Sequence, residues 1–145
     1  MAARTASFAY SAYRSAEVET LNQRDLIVKL YEGAERFLNQ ARVAMQARQI
    51  EEAHHRCTKA KAIFVELVST LNLEQGGEIA QRLRALYSFF LDQITLANTS
   101  KDPASIIAIL PVIATLREGW QQVPEEDANI SSLEGNQGHA LNVMS

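Results

Sequence analysis

The sequence predicts an all-α protein: an antiparallel, up-down-up-down four-helix bundle with a short N-terminal arm and a mobile C-terminal tail. Three observations carry that prediction. Apolar residues recur at helical spacing in four successive segments, short polar or glycine-containing turns join the segments, and no stretch keeps the strict alternation of a half-buried strand. Short turns leave no room for a crossover, so successive helices must run antiparallel.

The first helix is predicted to open after Asn22. The Asn22 side chain is placed to cap the amide of Asp25, whose carboxylate sits in the positive first turn. Leu26, Leu30, Phe37, Ala41 and Met45 then form one stripe, flanked by Ile27, Tyr31, Ala34 and Leu38. In the second segment Ile50, Ala53, Cys57, Ala60, Phe64, Leu67 and Leu71 advance in steps of three and four, the seam of a helix packed on a helix. Gly76 and Gly77 break the pattern and mark a reversal.

A third helix is predicted from residue 78 to about 98, with Ile79, Leu83, Leu86, Phe90 and Ala97 on its stripe. Asp102 and Pro103 restart the chain as N-cap and first helical residue. The fourth helix places Ile106, Ile109, Ile113, Leu116, Trp120 and Val123 on one seam. Pro111 falls inside it, where the ring removes an amide donor and crowds the Ile107 carbonyl, so a kink or break is predicted near Ile109 and Leu110. The expected boundaries are an arm over 1–21, the bundle over 22–123 and a polar tail over 124–145.

Size and charge exclude several function classes. A chain of 145 residues is one ordinary domain and buries roughly 70% of its unfolded surface, so it needs no disulfide or metal to fold. A net charge of −3 provides no global field for nucleic acid or an anionic membrane. No run reaches the roughly 18 apolar residues of a membrane span. Residues 1–13 carry one Arg and no apolar core of a secretory signal, and the single Cys57 suits a reducing compartment, so a cytoplasmic protein is expected.

Catalytic chemistry finds little support. Glu51 with His54, and Glu52 with His55, have the local spacing of a di-iron bundle, but that site needs such a pair on each of two helices. Both pairs lie on one helix, whose seam at Ile50, Ala53 and Cys57 leaves the histidines flanking or outward. Cys57 is on the seam, where a small buried thiol is inert, and no phosphate-binding glycine motif exists. No catalytic residue, metal ligand or cofactor is therefore expected, and the chain is read as a non-enzyme.

What remains is surplus hydrophobicity. After the seams are filled, Ile63, Val65, Val68, Phe89, Leu91, Ile107, Leu110 and Val112 are left over. Part of this surplus widens the core; the rest predicts a groove on helices two to four for a partner's amphipathic segment. The groove residues singled out are Ile63, Val68, Phe89, Ile107 and Leu110. The alternative is a structural bundle that self-associates through this patch into a homodimer.

Several stretches resemble the FliS family of flagellar secretion chaperones. Asn22-Gln23-Arg24-Asp25-Leu26 leading to Leu30-Tyr31-Glu32-Gly33-Ala34 looks like the family's opening helix. Glu74-Gln75-Gly76-Gly77-Glu78-Ile79-Ala80, with Leu83 and Leu86-Tyr87, is the most specific match, and Leu116-Arg117-Glu118-Gly119-Trp120 resembles the end of the fourth helix. The resemblance covers about residues 10 to 122; Gln23, where the family often has proline, and Pro111 depart from it. It implies the four-helix bundle and a partner, the C-terminal segment of flagellin, kept unpolymerised until export. It leaves room for other flagellar regulatory or export proteins, and it implies an arm carrying Phe8, Tyr10 and Tyr13 that caps the groove.

Overall fold

A computed structural model describes residues 22–124. Four helices account for nearly all of them: α1 (Gln23–Gln46), α2 (Ile50–Thr70), α3 (Leu73–Ser100) and α4 (Ala104–Gln122). α1 packs on α2 and α4, and α3 packs on the same two, so the helices form a closed ring in chain order. Polar contacts fix the antiparallel sense. Asn98 near the end of α3 meets His54 near the start of α2, their side-chain nitrogens 3.0 Å apart. Arg24 at the start of α1 donates to the Val123 carbonyl at the end of α4, at 3.1 Å. The predicted bundle is the observed fold. The arm expected over 1–21 and the tail expected beyond Pro124 lie outside the described residues.

Local chemistry explains most boundaries. Asn22 Oδ1 accepts the Asp25 amide at 2.8 Å, the predicted cap. Asn72 does the same for Gln75 at 3.0 Å, so α3 begins at Leu73, five residues before the predicted start. The glycine break falls inside α3: Gly77, with φ 56° and ψ −133°, kinks the helix in a conformation that favours glycine. At the next turn the Asp102 carboxylate accepts the Ala104 amide at 3.0 Å, and the cap is Pro103, so α4 starts one residue later than predicted.

Two expectations need correcting. α4 runs through Pro111 without a break. Pro111 is exposed, so water can satisfy the Ile107 carbonyl that loses its donor, and the helix tolerates the ring at its surface. The stripe of α3 is also rotated: Ala80, Leu83, Tyr87, Phe90, Ile94 and Ala97 are buried, whereas Ile79 is 58% exposed and Leu86 half-buried.

The core is aromatic at its centre. Phe64 stacks on Phe90 with centroids 5.3 Å apart and on Tyr87 at 6.0 Å, and Tyr87 meets Tyr31 at 6.2 Å. Towards the other end the seam narrows to Ala53, Cys57 and Ala60, all fully buried, and burial pushes the Cys57 thiol pKa up. A raised pKa keeps the sulfur protonated, consistent with an inert core thiol.

The α1–α2 turn holds Arg48 at φ 59°, on the left-handed side that an L residue adopts at a cost. Arg48→Gly is expected to stabilise the protein by about 0.5–1 kcal/mol, read as a higher urea midpoint with an unchanged slope.

Candidate partner-binding groove

The α3–α4 pairing is the sparsest of the four, and a furrow opens between the two helices at the Ile79 and Val123 end. Its register follows from a hydrogen bond: Ser105 Oγ donates to the Gln93 carbonyl at 2.8 Å. Counting back by sevens from Gln93 reaches Leu86 and Ile79 on α3; counting forward from Ser105 reaches Val112 and Gly119 on α4. Steps of seven hold one side of a helix, so these two rows face each other across the furrow.

The furrow is a groove of about 470 Å³, with Ile79 and Leu83 on one wall and Leu116, Gly119, Trp120 and Val123 on the other. Thr115 and Pro124 complete the lining. The Thr115 hydroxyl donates back to the Pro111 carbonyl at 2.9 Å, so it is occupied within its own helix. The surface is built to remove apolar side chains from water and offers no catalytic constellation.

Behind the groove, Trp120 is only 7% exposed, with its indole N–H beside a buried pair of tyrosine hydroxyls. The hydroxyls of Tyr31 and Tyr87 are 2.6 Å apart. Burial pushes Tyr31 up to about 12, against the smaller opposing pull of the hydrogen bonds with Tyr87 and Trp120. Tyr87 is also raised, chiefly by burial and then by the neighbouring Tyr31. The sign is definite: an unfolded tyrosine ionises near 10, whereas the buried hydroxyl stays protonated to about 12. Stability is therefore full below pH 10 and falls as pH rises from about 10 to 12. Thermal melts across that range should show the fall, and a Tyr31→Phe, Tyr87→Phe double variant should flatten it.

The five residues expected to form the groove do not converge. Ile63 is fully buried, and its Cδ1 would lie 3.1 Å from a Cβ on Gly33; it is a core residue that fills the space the glycine leaves. Val68 is half-buried against the core on α2. Phe89 is 49% exposed on α3, its ring 6.2 Å from that of Phe90, and is not among the groove's lining residues. Ile107 and Leu110 lie on the opposite flank of α4, lining a shallower hollow with Glu35, Asn39 and Arg42 of α1. There Arg117 Nε donates to Glu35 Oε1 at 2.6 Å and ties α4 to α1. Phe8, Tyr10 and Tyr13 lie outside the described residues. The groove's own walls, Ile79, Leu83, Leu116, Trp120 and Val123, read in the sequence as seam residues; their signal was the excess width of the apolar stripes on α3 and α4.

No helix among the described residues is long and apolar enough to cross a membrane. The chain matches the family described as "Flagellar protein FliS" over residues 6–127. It is 35% identical over 117 residues to the flagellar secretion chaperone FliS of Campylobacter jejuni, covering 81% of this chain and 91% of that one. To its Vibrio cholerae counterpart it is 33% identical over 127 residues, covering 85% and 93%. The Bacillus subtilis protein of the same name is 25% identical over 118 residues, covering 81% of this chain and 87% of its own length. With the bundle and the match both spanning nearly all the described residues, the chain belongs to the FliS family of flagellar secretion chaperones.

Proposed function

We propose that the chain binds the C-terminal segment of flagellin in the α3–α4 groove and keeps it unpolymerised in the cytosol until flagellar export. The observation that carries this reading is the groove itself, an apolar furrow whose one hydroxyl is turned back into its own helix. Such a surface suits the apolar face of an amphipathic helix. Relatives named as flagellar secretion chaperones supply the class of partner.

Phe89, exposed on α3, extends the contact beyond the groove. Ile107 and Leu110, on the other flank of α4, offer a second contact to a segment long enough to pass around the helix; Val68, on α2 diagonally across the ring, is left out of it. The Arg24–Val123 contact brings the entry to α1 beside the groove mouth. In this reading an arm bearing Phe8, Tyr10 and Tyr13 caps the groove, and flagellin displaces it.

Calorimetric titration of the flagellin C-terminal segment into the full chain tests this. Saturable heat with co-elution on gel filtration is the expected result. A heat-silent mixture eluting as two species would overturn it, and a multimer that ignores both dilution and flagellin would favour self-association.

A further inference from the structure

Among the described residues, nothing in the fold requires Gly119 to be glycine. It lies inside α4 with φ outside the left-handed range, so no turn requires it. Apart from its two chain neighbours and the backbone of its own helix, a Cβ placed there would meet no described atom within 4 Å, so no close approach between helices requires the glycine either. A glycine inside a helix is destabilising relative to alanine.

The surroundings give the missing side chain a use. Leu116, Gly119 and Trp120 occupy positions i, i+3 and i+4 of α4, Val123 follows at i+7 as its C-cap, and all four line the groove. Four residues in that pattern form the hole that accepts one knob from a facing helix. With glycine at one corner, the hole is open there and that corner is exposed among the described residues. Ile79 and Leu83, one turn apart on α3, close it from the other side.

We infer that Gly119 is a specificity-determining residue: it is the floor of a hole that receives a leucine-sized knob from an amphipathic helix of the exported partner. The inference rests on the reading of the groove as the flagellin site and adds where, and by what geometry, the partner is read. The empty corner selects a bulky aliphatic side chain at one position of that helix, because a smaller one leaves a void.

The test pairs two measurements on the full chain, the melting temperature and calorimetric binding of the flagellin C-terminal segment. Gly119→Ala is expected to raise Tm by about 2–4 °C while weakening binding. Gly119→Leu fills the hole from within; it should stay folded and bind at least tenfold more weakly. Scanning the peptide's leucines and isoleucines to alanine should then reveal one whose truncation matters against the wild type and not against Gly119→Leu. Wild-type-like binding by Gly119→Leu overturns the inference and spares the flagellin reading, whereas silence from the wild-type chain sinks both. A marked fall in Tm for either variant, or tighter binding by Gly119→Leu, would show the space to be filled by the chain's own segments and would likewise overturn it.

Discussion

Trp120→Ala is expected to destabilise the bundle by about 3–5 kcal/mol, as a lower denaturant midpoint with an unchanged slope. The indole is 7% exposed, so nearly all of its surface would be replaced by a void where α4 packs against α1 and α3. Its N–H also faces Tyr31 and Tyr87, whose hydroxyls would be left with each other alone. A domain of this size is typically stable by only about 5–15 kcal/mol, so the variant should fold poorly near physiological temperature. Trp120→Phe keeps most of the packing and loses the donor, so its loss should be markedly smaller. A near-zero loss for Trp120→Ala would mean that the ring is groove wall and not core.

The helices were legible in the sequence because their causes are local. Asn22 and Asp102 announce helix starts through side chains that reach their own backbone; the Asn22 cap is present in the structure, whereas Asp102 accepts the Ala104 amide from one residue before the cap, which falls at Pro103. The apolar period of α1 places every stripe residue inside. Phase was harder to read where two apolar residues adjoin. Ile79 and Ala80 are equally plausible on a stripe, and just past the kink at Gly77 the smaller is buried and the larger exposed. Ile63 was assigned to a surface because nothing near it in sequence shows that Gly33, thirty residues earlier, opens a space for it. The groove was obscured for a related reason. Subtracting core residues from the apolar total finds only residues that do one job, and Leu83 and Trp120 do two, closing the core with one face and lining the groove with another. The kink or break predicted at Pro111 rests on the local cost of the ring; the packing of α4 on α1 and α3 holds the helix through it, and exposure leaves the Ile107 carbonyl open to water.

Ile79→Asp is expected to weaken binding of the flagellin C-terminal segment by on the order of 100-fold while leaving the fold intact. The free chain exposes 58% of Ile79, so an aspartate there stays hydrated and costs the bundle little. Docking a helix would strip that water from the carboxylate. The opposing wall, Leu116 and Val123 with the occupied hydroxyl of Thr115, offers it no donor in return. The penalty therefore falls on the complex and hardly on the free protein, which separates loss of binding from loss of structure. Val65→Asp is the matched control: Val65 is 55% exposed on α2, diagonally across the ring from α4. Isothermal titration of both variants beside the wild type, with circular dichroism melts to verify folding, gives the comparison. A large loss for Ile79→Asp alone would support the α3–α4 groove; equal losses would point to a field effect of the added charge. If Val65→Asp alone bound weakly, the partner would belong on α2, and the groove would lose its assignment.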